Sequence, residues 1–105
     1  MAEIEIGGRT FVVDEEGFLQ QPELWNEDVA QLFASAEGIA AMTPEHWAVV
    51  KYIRDYWVEH GTAPLIRKIT QTTGLNLRTI YQLFTSGPAK GACKIAGLPK
   101  PEGCV

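Results

Sequence analysis

Apolar and polar positions alternate at the start of the chain, in Glu3-Ile4-Glu5-Ile6 and again in Arg9-Thr10-Phe11-Val12-Val13, and β-branched residues recur in both runs. Gly7-Gly8 between them can take the positive φ of a two-residue turn, which predicts a β-hairpin. Asp14-Glu15-Glu16-Gly17 then turns the chain, and Phe18-Leu19 predicts a short third strand ended by Pro22. From residue 26 the period becomes helical. Asn26 caps a helix with Glu27 and Asp28 in its first turn and Val29, Leu32, Phe33 and Ala36 on one face, and Gly38 stops it. Thr43-Pro44 opens a long helix to His60, ended by Gly61; Trp47, Val50, Ile53 and Trp57 lie on one side of it, while Val49, Tyr52 and Tyr56 widen the apolar surface. This is the expected central helix.

From Pro64 two short helical runs flank Gly74-Leu75-Asn76, with Asn76 as the second cap, predicting a helix-turn-helix over about residues 64–84. Pro88 can open a last helix through Ala96, closed by Gly97. The expected fold is α+β: a small N-terminal antiparallel sheet, made of a hairpin plus a short third strand, packed on a helical bundle that contains the helix-turn-helix. Residues 1–96 form one domain in this reading, and residues 97–105 form a mobile C-terminal arm. Gly97, Pro99, Pro101 and Gly103 exclude a regular helix or a central strand there, because proline lacks the donor and glycine adds chain entropy.

Both cysteines of the protein, Cys93 and Cys104, lie in its last stretch, one at the root of this arm and one beside its end. Fully extended at about 3.3 to 3.6 Å per residue, the six residues that follow Leu98 as far as Cys104 could carry the Cys104 thiol roughly 20 to 25 Å from Leu98. It could also fold back on Cys93.

A chain of 105 residues with a hydrophobic share of 46% and a charged share of 21% reads as one ordinary globular domain, too small for a deep substrate cleft plus a cofactor fold. No apolar run is long enough for a membrane span, and the acidic start lacks the pattern of a signal peptide, so the expected location is the cytoplasm. In that reducing compartment a permanent disulfide is disfavoured, and two cysteines point to redox or transfer chemistry. Charge is divided. Residues 1–60 set Arg9, Lys51 and Arg54 against twelve acidic side chains, a balance of −9, whereas residues 61–105 set six cationic side chains against Glu102, a balance of +5. The second half is thus a basic surface suited to an acidic partner, an anionic small substrate or nucleic acid.

His46 and His60, fourteen residues apart with no Cys-x-x-Cys pair, fit no zinc pattern and read as surface or cap histidines. No metal or cofactor is expected. The helix-turn-helix admits a weak DNA-binding reading through Arg67, Lys68, Arg78, Thr79 and Gln82. Against it stand the acidic whole and the small number of local cations, since phosphate contacts dominate affinity for DNA.

An exposed terminal thiol with no base, pocket or oxyanion hole beside it does not make a cysteine hydrolase. What such an arm can do is deliver a thiol into another protein's site, accept a group and retract. A second thiol at Cys93 could then attack the sulfur carried on Cys104, closing a loop of about twelve residues worth roughly 3 kcal/mol in lost chain entropy. The plainer alternative is a Cys93 that only packs and an incidental Cys104.

The tail from Cys93-Lys94-Ile95-Ala96-Gly97-Leu98-Pro99-Lys100-Pro101 to Glu102-Gly103-Cys104-Val105, with Thr43-Pro44-Glu45-His46-Trp47 and Tyr56-Trp57, resembles the DsrC/TusE family over essentially the whole chain, and most closely its DsrC branch. TusE-type relatives, which relay sulfur toward tRNA thiolation, keep the cysteine matching Cys104 but usually lack the one matching Cys93. The resemblance implies a sulfur-carrying co-substrate, not a catalyst. It implies that Cys104 enters the channel of a sirohaem-containing dissimilatory sulfite reductase and accepts partly reduced sulfur. Cys93 would then resolve it to an intramolecular trisulfide, which a membrane-associated complex of the heterodisulfide-reductase type reduces to release sulfide. Related carriers also serve sulfur oxidisers, with the flow reversed. Lys90, Lys94 and Lys100 are candidates for guiding the arm toward an anionic channel, and the carrier is expected to be a monomer when free.

Overall fold

The computed structural model describes residues 2–87 and 91–99. Strand β1 (Ala2–Ile6) pairs antiparallel with β2 (Arg9–Val13), Ile6 opposite Arg9 and Ile4 opposite Phe11. Gly7 and Gly8 both have positive φ, 60° and 79°, the mirror-image turn whose twist suits a two-residue hairpin. Phe11 and Val13 are buried, and Phe11 meets Phe33 edge-on at 5.4 Å between centroids.

The expected third strand shrinks to one bridge, Val13 with Leu19. Its start is well made: the Asp14 carboxylate accepts from the Glu16 and Phe18 amides, both at 2.9 Å, and turns the chain back. It stops because the Gln21 side chain, not a strand carbonyl, accepts from the Val12 amide at 3.0 Å, and Pro22 opens a single 3-10 turn, Pro22–Leu24.

Helix α1 (Glu27–Ala36) is capped by Asn26, whose side chain accepts from the Val29 amide at 2.9 Å. Its buried residues are Val29, Ala30, Phe33 and Ala34, whereas Ala36, expected inside, is exposed: the buried stripe runs along paired i, i+4 positions and leaves the last turn to solvent. Helix α2 (Pro44–His60) begins at the Thr43 cap, ends at Gly61 and buries Val49, Val50 and Ile53, the central position expected for it. Helix α3 (Ile66–Thr73) packs against α2, and α4 (Leu77–Leu83) follows after Gly74, with Asn76 capping it through the Thr79 amide at 2.8 Å. These two short helices occupy the span expected to hold a helix-turn-helix.

The start of the expected last helix, Pro88 to Lys90, lies outside the described residues, as does the arm from residue 100. A wider π-type turn at Gly91 and Ala92 leads into the short helix α5 (Cys93–Ile95), which packs on α1 and α2. No helix among the described residues is long and apolar enough to cross a membrane. The architecture is α+β, a hairpin beside a helical body whose core closes over α5.

Candidate functional site

Cys93 sits at the first position of α5, 3% exposed, within the main hydrophobic core. Among the described residues the helical backbone here runs only from Gly91 to Ile95, and a segment of that length fixes several residues for very few internal bonds. The hydrogen bonds of its C-terminal end show what holds it. Leu98 N–H donates to the Cys93 carbonyl at 3.2 Å and Gly97 N–H to the Lys94 carbonyl at 3.1 Å, the two backbone bonds of a Schellman turn. Two carbonyls of that end remain, those of Ile95 and Ala96, and both residues are fully buried. The indole Nε1 of Trp25 donates to the Ile95 carbonyl at 2.8 Å, and Arg54 Nη1 donates to the Ala96 carbonyl at 3.3 Å.

Arg54 reaches this point from the middle of α2. Its Nη2 donates to the Pro22 carbonyl at 2.8 Å, so one guanidinium ties the turn before Trp25 to the turn after Cys93. It also lies 4.8 Å from the Trp25 ring and 5.3 Å from the Trp57 ring, within cation–π range of both. Burial lowers the Arg54 pKa from its ordinary value, and neighbouring Asp55 opposes that shift. Gly97 completes the arrangement with φ +76°; a Cβ there would stand 2.8 Å from Trp25 Cγ, so backbone sign and close approach both demand glycine. Leu98 is buried beyond it.

On the N-terminal side of Cys93, His46 supports the segment through Phe84. This histidine is a cap, but a buried one at 7% exposure, which corrects the surface reading. Its Nδ1 accepts from the Thr43 amide at 3.0 Å and its Nε2 lies 2.9 Å from the Leu83 carbonyl, partners that assign the proton to Nε2 and tie the start of α2 to the end of α4. The His46 ring meets Phe84 edge-on at 5.2 Å, and Phe84 in turn lies so close to Gly91 that a Cβ there would stand 3.0 Å from the Phe84 Cβ. The segment bearing Cys93 is therefore supported at both ends.

Lys94 points its ammonium at Glu37, the residue that ends α1, with Nζ 3.6 Å from Oε1, and lies 5.3 Å from the Phe18 ring. That Glu37 oxygen is buried and makes no hydrogen bond among the described residues, so the pair is held by charge at a distance just beyond hydrogen bonding. Lys94 thus works on the folded body next to Cys93. Lys90, Lys100 and Cys104 lie outside the described residues. Arg67, Lys68, Arg78 and Gln82 are exposed on α3 and α4 and Thr79 is half-buried, while Lys68 lies 5.6 Å from the Tyr56 ring. His60 is exposed at the end of α2, its ring 4.3 Å from that of Tyr56. Among the described residues no group of His, Cys, Asp and Glu is placed to hold a metal ion.

Trp25 and Arg54 escaped the sequence reading. Trp25 falls outside every apolar stripe, and the one local hint at Arg54 is its i, i+3 spacing to Trp57, which puts cation and indole on the same helical face.

The model for the DsrC like protein family matches residues 5–105. The dissimilatory-type sulfite reductase subunit gamma of Nitratidesulfovibrio vulgaris is 44% identical, over all of both chains. Sulfurtransferase TusE of Escherichia coli O6:H1 is 43% identical over 93% of this chain and 95% of its own. The crystal structure of the oxidized gamma subunit of dissimilatory sulfite reductase (DsrC) from Archaeoglobus fulgidus superposes with a TM-score of 0.88 at 43% identity, covering 99% of this chain and all of that one. The chain belongs to the DsrC-like family.

Proposed function

We propose that the protein is a sulfur carrier working in the cytoplasm with a dissimilatory sulfite reductase, its two cysteines acting in sequence. Cys104 on the arm accepts sulfur at the reductase, and Cys93 attacks to give an intramolecular trisulfide. In balance, sulfite, two electrons and the two thiols give the trisulfide and water; four further electrons, from a membrane-associated reductase of the heterodisulfide type, return both thiols and release sulfide. The protein is a co-substrate in this scheme, and the sirohaem chemistry belongs to the reductase.

The observation that carries the reading is the setting of Cys93. It is withdrawn from solvent, held in a segment braced at both ends, and followed within a few residues by the stretch that leads to Cys104. A thiol so placed is shielded from bulk oxidants. The full-length likeness to a protein named as the gamma subunit of the reductase supports the partner. The relative in Archaeoglobus fulgidus is described as oxidized, which supports a redox-active pair.

The nearly full-length identity to TusE favours a second reading, a sulfur relay toward tRNA thiolation, which needs Cys104 but not Cys93. Intact mass after turnover with sulfite, the sirohaem reductase and an electron donor separates the two. The expected result is one added sulfur bridging both cysteines in the wild type, an open adduct in Cys93→Ala and none in Cys104→Ala. Wild-type protein that gains no sulfur, or Cys93→Ala that matches it, overturns the two-thiol carrier.

A further inference from the structure

Of the four carbonyls at the end of α5, the turn's own backbone binds those of Cys93 and Lys94, and side chains 70 and 42 residues away in sequence bind those of Ile95 and Ala96. A helix end that only had to stop could leave its last carbonyls to water. Here they are buried, and each has one long-range donor. The donors are also joined to each other, since the guanidinium of Arg54 lies over the Trp25 ring and binds the Pro22 carbonyl just before it. Trp25 in turn covers Gly97, the residue at which the chain leaves the helix.

We propose that Trp25 and Arg54 are positioning residues for the exchange between the two thiols: by holding the Ile95 and Ala96 carbonyls they fix the pivot of the arm, at Leu98 and Pro99, relative to Cys93. The inference rests on the two-thiol reading and adds to it the residues that set its geometry. With the pivot held, the length of chain that separates Cys104 from the fixed body counts from Leu98. With the pivot loose, it counts from Cys93, and the tether is about twice as long. Loop-closure probability falls roughly as the three-halves power of length, so doubling the tether slows closure about threefold before any loss of alignment is added. Releasing the same turn exposes Cys93. Anchoring therefore predicts two changes of opposite sign: slower closure by the partner thiol and faster attack by an external reagent.

Oxidised glutathione provides a balanced test. The Cys104 thiolate attacks it, forming a mixed disulfide and expelling one glutathione thiolate; the Cys93 thiolate then attacks the Cys104 sulfur, forming the intramolecular disulfide and expelling the second. Both cysteine protons are released, and one glutathione disulfide is reduced for each bond closed. The second step is first order and is read by intact mass as decay of the mixed disulfide. Trp25→Phe keeps a ring beside Arg54 and removes the donor to Ile95, while Arg54→Lys keeps the charge and removes the fork that serves both Ala96 and Pro22.

In both variants the mixed disulfide is expected to form at the wild-type rate and to decay at least about threefold more slowly, by the tether-length scaling above. In a Cys104→Ser background, alkylation of Cys93 is expected to be faster in both variants at denaturant concentrations too low to unfold the protein. Arg54→Lys carries the test if Trp25→Phe does not fold. Wild-type protein that closes, with folded variants that close equally fast, overturns the anchor alone. Wild-type protein that holds the mixed disulfide without closing overturns the two-thiol reading and the anchor with it.

Discussion

The ends of α1 and α5 are built on the same local motif and differ in what surrounds it. At α1 the Gly38 amide donates to the Ser35 carbonyl at 3.0 Å and the Ile39 amide to Ala34 at 2.9 Å; at α5 the Gly97 and Leu98 amides do the same for Lys94 and Cys93. Both glycines have positive φ, 87° and 76°. Around Gly38 nothing lies within 4 Å of where a Cβ would stand, whereas Gly97 is pressed against Trp25. The first turn closes a ten-residue helix that its own face holds down. The second closes three residues and depends on tertiary donors. One motif thus serves as a plain stop in one place and as a clamped pivot in the other.

The largest expected effect separates the two glycines. Gly38→Ala meets only the backbone penalty and should cost about 1 kcal/mol. Gly97→Ala adds a steric conflict with the Trp25 ring and should cost about 2 to 4 kcal/mol, the sum of that penalty and the strain of overpacking. Urea unfolding of both variants measures the gap; equal losses would mean that Trp25 yields freely and does not clamp the turn.

A smaller effect is expected where the two helix ends touch. Lys94 and Glu37, each 19% exposed at the side chain, join α5 to the end of α1. Lys94→Met strands a half-buried carboxylate and should cost about 1 to 2 kcal/mol after allowance for residual solvent, whereas Lys94→Met with Glu37→Gln should recover most of the loss. A double-mutant cycle by thermal unfolding reads the coupling, and purely additive losses would remove the pair from the structural role assigned to it.

The smallest effect belongs to Lys51 and Glu27, 3.0 Å apart between α2 and α1 but exposed. Glu27→Gln should change stability by no more than about 0.5 kcal/mol, less in high salt, despite the shorter distance. A loss from Glu27→Gln larger than that from breaking the Lys94 pair would reverse the ranking by burial.

The parts legible in the sequence are those set by neighbours along the chain. Gly7-Gly8 marks the hairpin, Asn26, Thr43-Pro44 and Asn76 mark helix starts, and Gly38, Gly61, Gly74 and Gly97 mark ends, because each signal acts through residues no more than about four positions away. Local signals mislead where a distant or unexpected group intervenes. Gln21 takes the amide that a third strand needed, and the buried side of α1 stops short of Ala36. His46 caps its own helix and also bonds to Leu83, 37 residues on, which drew it inside.

The two cysteines, the glycine and proline spacing of the tail and the division of charge belong to the sequence alone, and with them the idea of a delivered and a resolving thiol. That Cys93 is buried, that Lys94 faces Glu37 and that Trp25 and Arg54 hold the turn after Cys93 were decided only by tertiary structure. The physical reason is the burial of the end of α5. The last carbonyls of any helix lack partners within it, and here they are withdrawn from water, so they took their partners from wherever the fold brought donors: an indole 70 residues away and a guanidinium 42 residues away.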